Sequence, residues 1–371
     1  MALRFNITGP CVPGRDFMVD LSARLRRPLQ AIARGESLLL VRARQSGKTT
    51  LLRELAAALR KQNLAVALCA MQVAEDQTLT GLFRHIEATL HKAYPLPALP
   101  KWTPTEPQSL SFCAWLGEVQ HKLGRPLVLL LDEYDAPPRK LVLSMLRSFR
   151  SALALADDSR PFVHSLTLCG KTHVRDLRDE LRPSGDESRG SGSLWNIALP
   201  MPLSSLSRAE VDALLDQYCA ASGVPWRREA REELWQKTHG QPWLVCRIAY
   251  ELDEQLGCPR LDSPPAGEGP RARDGAGPPS VATVRAAAAQ LLEEDCVHLL
   301  SVSDLLLGRR DAQELVARLL AGEEVALCRA NEAQSYLLDT GVILPSESGR
   351  FIELHNPIYE GYLGRWLPEQ H

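Results

Sequence analysis

The sequence predicts an α/β chain with a parallel five-stranded sheet flanked by helices, followed by a helical lid and a C-terminal winged-helix-like module. Three observations predict it. Short apolar runs alternate with amphipathic stretches as far as Leu203, the pattern that a parallel sheet with crossover helices produces. A loop, Arg42-Ala43-Arg44-Gln45-Ser46-Gly47-Lys48-Thr49-Thr50, joins the first apolar run to a helical one. A later run, Leu127–Leu131, leads straight into Asp132-Glu133.

Phe5 to Val19 is rich in Gly and Pro and reads as an ordered arm. Leu21, Leu25, Leu29 and Ile32 recur at helical spacing and predict a helix over 21–33. Leu38–Val41 is short and wholly apolar, a buried strand. Leu51, Leu52, Leu55, Ala56 and Leu59 make one helical face after the loop. A strand over 64–70 and a helix over 79–94 follow, the helix turning Leu82, Phe83, Ile86 and Leu90 inward. After a proline-heavy loop (95–107), a helix is expected near 110–123, the strand at 127–131, a helix over 139–155, and strands at 162–168 and 197–203. The polar stretch 171–193 between those two strands reads as a surface loop.

The texture changes at Ser207-Arg208-Ala209-Glu210, a capping box that opens a helix through Ala221. Helices over 227–238 and 243–256 follow, divided by Gly240-Gln241-Pro242. Residues 257–280 hold almost no apolar anchors and many Pro, Gly and charged residues, so a disordered linker is expected. Helices near 281–293, 295–307, 311–320 and 330–338, then a hairpin from Val342-Ile343-Leu344 to Phe351-Ile352-Glu353-Leu354, suggest the winged-helix-like module. The expected domains are therefore 1–204, 205–256, 257–280 and 281–371.

At 371 residues and 45% hydrophobic, the chain can bury a sizeable core. A net charge of −2 gives no overall attraction to nucleic acid or membrane, but the distribution is uneven. Residues 1–61 carry 12 Lys/Arg against 4 Asp/Glu, and residues 281–371 carry 7 against 14. A phosphate-binding front end with an acidic tail fits that asymmetry, as does a basic interaction face near the N-terminus. The nine cysteines are scattered, with no C-x-x-C pair, so neither a disulfide framework nor a zinc site is expected and a reducing compartment is. No secretory h-region is visible, and no apolar run approaches the roughly 20 residues of a membrane span. A cytoplasmic protein with no membrane partner is the expectation.

Successive backbone N–H groups ahead of a helix form an anion cradle, and the helix N-terminus adds partial positive charge. In the loop, Arg44, Gln45, Ser46, Gly47, Lys48, Thr49 and Thr50 are the candidate nucleotide-binding residues. Lys48 would reach the β- and γ-phosphates and Thr49 would ligate Mg²⁺, while Thr50 is expected to pack or cap. Arg42 stands where the common G-x-x-x-x-G-K-[ST] pattern has its first Gly. The alternative for this loop is a plain Gly turn entering a helix. Ionised carboxylates at a strand end are costly unless paired. Asp132 is therefore the candidate Mg²⁺ holder, directly or through water, and Glu133 the residue that polarises an attacking water; the alternative is a strand end reaching solvent. Asp135 is expected to cap a helix. Arg147 and Arg150 are one turn apart and read either as a charge-stabilising finger toward a neighbouring subunit or as a solvated face. Arg175-Asp176 reads either as a γ-phosphate sensor or as a local salt bridge.

Several blocks together resemble a group of bacterial AAA-like ATP-binding proteins near the STAND and origin-recognition-type branch of P-loop ATPases. They are Phe5-Asn6-Ile7-Thr8-Gly9-Pro10-Cys11, Arg44-Gln45-Ser46-Gly47-Lys48-Thr49-Thr50, Val174-Arg175-Asp176, Trp195-Asn196-Ile197, His239-Gly240-Gln241-Pro242-Trp243-Leu244-Val245 and His355-Asn356-Pro357-Ile358-Tyr359. The resemblance spans most of the chain. It implies an additional-strand P-loop NTPase core with a catalytic Glu beside the Mg²⁺-holding Asp. It also implies a lid whose Gly-x-Pro turn lies against the nucleotide, which puts Gly240 and Pro242 near base or ribose, and an arm (Gly9, Pro10, Phe17, Met18) that borders the adenine. The ordinary alternative for Gly240-Gln241-Pro242 is a helix stop followed by a Pro-started helix.

The expected function is an Mg²⁺-dependent ATP-binding protein, a slow ATPase that acts as a nucleotide-driven switch toward a protein partner of unknown identity. Lys48 and Glu133 carry the catalytic roles, and an ATP-dependent oligomer is a further expectation. The rival readings are a DNA-associated loader or transposition regulator using Arg24, Arg26, Arg27 and Arg34, and a non-hydrolysing scaffold. Nucleic acid is the less favoured partner because residues 330–340 of the tail module carry Glu332 and Asp339 and no basic residue.

Overall fold

The computed structural model describes residues 3–73, 77–95, 99–155, 162–174, 197–256, 277–294 and 296–370. The chain divides into two compact units: Leu21–Arg42 with Leu51–Leu203, and Met1–Asp20 with Ala43–Thr50 and Ser204–His371. The first is a sheet unit and the second a mainly helical one.

In the sheet unit, β1 (Leu38–Val41), β2 (Ala65–Ala70), β3 (Leu127–Asp132), β4 (Ser165–Gly170) and β5 (Leu199–Pro200) form one parallel sheet in the order β2-β3-β4-β1-β5. The strands read as continuous apolar runs because both faces are covered. On one face Leu39, Val41, Ala67, Leu129, Leu131 and Leu168 pack with α3 (Leu79–Ala93), α4 (Gln108–Leu123) and α5 (Arg139–Leu155). On the other, Leu38, Leu40, Val66, Val128 and Leu130 pack with α1 (Ser22–Ala33) and α2 (Lys48–Lys61). The alternation between faces is the period-2 pattern of a strand. Each such leucine contributes about 1.5–3 kcal/mol by leaving water.

β4 lies between β1 and β3, so the strand that leads into the loop and the strand that ends in Asp132 are not neighbours; this is the additional-strand arrangement. Val41 is in register with Gly170, and Asp132 with Cys169. The end of β1, where the loop begins, and the carboxylate-bearing end of β3 therefore sit on the same edge of the sheet, two strands apart.

Two strands differ from the sequence expectation. β4 starts three residues late, because Phe162 stacks on Phe149 (ring centroids 5.9 Å) instead of entering the ladder. The last strand shortens to Leu199–Pro200 on the sheet edge, where a residue without an N–H is tolerated.

The helical unit contains α6 (Arg208–Ser222), α7 (Arg228–Thr238), α8 (Pro242–Leu256), α9 (Val281–Gln290), α10 (Val297–Asp304), α11 (Arg310–Leu320), β6 (Val325–Ala326), α12 (Glu332–Thr340), β7 (Ile343–Pro345), β8 (Phe351–Leu354) and α13 (Pro357–Trp366). The Ser207 capping box forms as expected, its side chain accepting from the Glu210 amide while Glu210 accepts from Ser207 N–H. Such a cap stabilises by about 1 kcal/mol. The C-terminal module is winged-helix-like, but its sheet has three antiparallel strands, β6-β8-β7, rather than a bare hairpin. β6 is two residues long and carries too little pattern to be read. Helix α13 closes the module, with Asn356 capping it and Pro357 in its first turn.

The N-terminal arm folds back so that Asp16 accepts from Val12 N and Asn6 Nδ2. Phe17 is buried against Phe5 (4.9 Å) and Tyr218 (5.9 Å), where three aromatic rings gain from mutual burial. Residues 257–276 of the expected disordered linker lie outside the described residues, as do Arg175-Asp176 and Trp195-Asn196. Residues 277–280 lead to Ser280, which caps α9. Among the described residues, no helix is long and apolar enough to cross a membrane.

Candidate functional site

The loop Ala43–Thr50 belongs to the helical unit. It turns by placing Gln45 (φ 58°) and Gly47 (φ 83°) in the left-handed region. Such a conformation is routine for Gly and costs a residue with a Cβ roughly 1 kcal/mol. Ala43 O collects two donors, Ser46 Oγ at 2.8 Å and the Lys48 ammonium at 2.7 Å. Lys48, only 8% exposed, is thus curled over the loop it follows. A Cβ placed on Gly47 would meet no atom within 4 Å, so the space beside this residue is open. α2 begins at Lys48 and carries no acidic residue in its first turn to compete for an anion.

Three further residues of the same unit fasten the loop. Cys11 N donates to Thr50 Oγ1 at 3.1 Å, tying down the arm; Thr50 is an anchor, in line with its expected packing role. Ala43 N donates to Thr340 O at 2.9 Å, at the C-terminal end of α12. Gln241 Nε2 donates to Gln45 O at 3.3 Å. Gly240 (φ 69°) backs onto Leu206 O, and Leu206 N donates to Gly240 O at 2.8 Å, so the Gly-Gln-Pro turn is held from behind. Pro242 is the first residue of α8.

His298 of α10 is fully buried, stacks on Trp243 (5.0 Å, 27°) and contacts Tyr359 Oη through Nε2 at 2.9 Å. Burial first, and the nearby Lys48 ammonium second, hold its pKa down to about 3, so it is neutral at physiological pH. Its Nδ1, like Gln45 Oε1, is buried with no hydrogen-bond partner among the described residues. Neither Gln241, Thr340 nor His298 was singled out by sequence reasoning. Gln241 had a visible signal, an amide between the two residues of a Gly-x-Pro turn. His298 had only the oddity of a lone ring in the apolar run Val297–Leu300.

In the sheet unit, Asp132 ends β3, 6% exposed, and accepts from Glu133 N at 3.1 Å. Glu133 follows at φ 50°, half-buried. Asp135 is not a helix cap, since α5 begins only at Arg139. Its carboxylate instead accepts from Lys171 N (3.0 Å) and Thr172 N (2.7 Å), the amides just past β4, which would otherwise be left without partners. Tyr134 N donates to Cys169 O at 3.1 Å and Tyr134 Oη donates to Thr172 O. Gly170 leaves the space these groups fill: a Cβ there would come within 2.5 Å of Asp135 Oδ1. The ends of β3 and β4 are thus braced together, and Arg42 N joins them by donating to Gly170 O at 3.2 Å. Arg147 is exposed on α5 and Arg150 half-buried.

The residues present suit a magnesium nucleotide. In the helical unit, a buried ammonium beside an open loop at a helix N-terminus fits an anion; in the sheet unit, a buried carboxylate at the end of β3 fits a divalent cation. No cluster of three or more His, Cys, Asp or Glu occurs among the described residues.

No family model matches the sequence, and no curated protein does. Solved structures are similar in fold. The Walker-type ATPase paby2304 of Pyrococcus abyssi aligns over 97% of this chain and 99% of its own, with a TM-score of 0.63 at 12% identity. Cdc6p from Pyrobaculum aerophilum aligns over 98% and 97% (TM-score 0.49, 15% identity), and the Aeropyrum pernix ORC2 protein over 94% and 93% (TM-score 0.48, 14% identity). With the order β2-β3-β4-β1-β5 and the Gly-Lys-Thr loop after β1, the chain has an AAA-like P-loop ATPase fold followed by a winged-helix-like module.

Proposed function

We propose that this chain binds ATP with Mg²⁺ and hydrolyses it slowly, as a nucleotide-driven switch related to the STAND and origin-recognition-type branch. The observation that carries this is the loop: Gly47 at positive φ with open space before it, followed by a buried Lys48 at the N-terminus of a 14-residue helix. Phosphate oxygens would replace Ala43 O as the partner of the Lys48 ammonium, exchanging a carbonyl for a charged acceptor. Thr49 and Asp132 would hold Mg²⁺, which when bound offsets charge on the phosphates. Glu133 would orient and polarise the attacking water, while Arg44, Gln45, Ser46, Gly47 and Thr50 shape the cradle and Gly240 and Pro242 border the nucleoside. Catalysis here is positioning and charge stabilisation.

The switch reading is supported by the wiring of the loop to Thr340 of the C-terminal module, which a partner protein or a second copy would sense. Calorimetric titration with ATP, with and without Mg²⁺, tests the proposal. Wild type should bind, and Lys48→Ala should weaken binding at least tenfold while keeping the far-ultraviolet circular dichroism spectrum. Absence of binding by the wild-type protein would sink it. One observation favours a second reading: Arg26 and Arg27 are exposed on α1, so ATP-dependent retention on duplex DNA that fades with salt would point to a loader.

A further inference from the structure

The Gln241 side chain has both ends assigned by its partners. Its Oε1 accepts from Leu244 N at 2.6 Å, closing the first turn of α8, and a backbone N–H can only donate. Its Nε2 therefore faces Gln45 O at 3.3 Å, and a carbonyl can only accept. The residue is 3% exposed, so no bulk water competes for either group. Its own N–H donates to Thr238 O at 2.9 Å, which fixes the backbone from which the side chain extends.

The consequence lies one peptide further on. A trans peptide unit is planar and holds its C=O and N–H on opposite sides. Drawing Gln45 O toward Gln241 turns the Ser46 N–H the other way, away from Gln241. Gln45 sits at φ 58°, a conformation that a residue with a Cβ holds only when its surroundings over-determine it. The Gln241 amide supplies one such constraint at the carbonyl, and the Ala43 N–H to Thr340 O bond supplies another at the loop's entry.

We propose that Gln241 is a positioning residue for phosphate recognition, setting the orientation of the Gln45–Ser46 peptide so that the Ser46 N–H is presented to a phosphate oxygen. This inference rests on the nucleotide-binding reading above and assigns Gln241 a role toward the phosphates, beside the one proposed for Gly240 and Pro242 toward the nucleoside.

The test uses the full chain and two substitutions. Gln241→Glu keeps an oxygen for Leu244 N, but at neutral pH and above it offers a second oxygen to Gln45 O where a donor is needed. Protonation of that carboxyl restores a donor. Gln241→Leu removes both functions at every pH. Affinity for Mg-ATP is measured by calorimetry at pH 8 and pH 5.5 for both variants and wild type, alongside urea midpoints. The ratio to wild type cancels pH effects on ATP itself and on the charged groups around the loop, which all three proteins share: Lys48, His239 and His298. We expect Gln241→Glu to bind about tenfold or more weakly at pH 8 and to approach wild type at pH 5.5, with Gln241→Leu weak at both. A Gln241→Glu deficit that does not change with pH, or variants that bind as wild type does, would overturn the inference and leave the nucleotide reading standing. Failure of wild type to bind at either pH would remove the nucleotide reading and this inference with it.

Discussion

Glu133 carries two loads that substitution can separate. Its carboxylate is the proposed water-orienting group, and its backbone occupies the left-handed region at φ 50°. Glycine removes the first load and suits the second. Relief of about 1 kcal/mol of local strain opposes the 0.4–1 kcal/mol that glycine adds to the unfolded chain's freedom. Glu133→Gly should therefore match wild type in urea unfolding to within about 0.5 kcal/mol while losing phosphate release. A loss much above 1 kcal/mol would mean that the side chain, not the backbone, sets this turn. His298 makes a second residue-scale prediction. Its folded pKa of about 3 lies below the ordinary value of 6.5, so the unfolded chain binds a proton first as pH falls. Stability is fully present above pH 6.5 and declines from there down toward pH 3, by up to about 1.4 kcal/mol per pH unit. Chemical denaturation between pH 6.5 and 4.5 should show a shallower acid decline in His298→Gln than in wild type. Equal slopes would contradict a buried neutral ring.

At the scale of elements, two glycines brace the loop and the carboxylate strand by different means. At Gly240 an added Cβ would stand 2.0 Å from Leu206 O, a backbone atom of the residue whose N–H donates to Gly240 O, and φ is 69°. At Gly170 the obstacles are side chains, Asp135 Oδ1 at 2.5 Å and Tyr134 Cε1 at 2.9 Å, which can withdraw by giving up hydrogen bonds. Gly170→Ala should cost about 1–3 kcal/mol and Gly240→Ala more than that, read as urea midpoints on the same preparation; the reverse order would be fatal to this contrast. Elements of this length were mostly legible because their hydrophobic period is long and clear. Leu38–Val41, Leu127–Asp132 and the α5 stripe needed no tertiary information. Asp135 did: nothing in its neighbours announces that two amides beyond β4, some 36 residues later, will claim its carboxylate. Helix α13 is the opposite case, since Asn356-Pro357 is a plain cap-and-first-turn signal that went unused because the motif was read for its resemblance alone.

For the whole molecule, the sequence order of motifs conceals which parts share a fold. The loop follows β1 directly, yet Ala43–Thr50 groups with the arm and with Ser204–His371. Residues 11, 241 and 340 each fasten it by one hydrogen bond, and no pattern in a single sequence encodes such a long-range pairing. The grouping has a measurable consequence. Hydrogen bonds that close across one cooperative unit open together, and a ligand bound to that unit raises the free energy of the shared opening by RT ln(1 + [L]/Kd), about 2.7 kcal/mol at a hundred times Kd. Under that condition with Mg-ATP, amide exchange should slow in peptides covering residues 43–50, 239–245 and 340–343 by similar factors, up to about a hundredfold. Direct shielding by the nucleotide would instead slow the loop peptide and the 239–245 peptide that is proposed to border the nucleoside, leaving 340–343, which contributes only Thr340 O to the loop, unchanged. Protection that does not extend to residues 340–343 would therefore show that nucleotide occupies the loop without engaging the C-terminal module, and the switch would lose its physical basis even though binding survived.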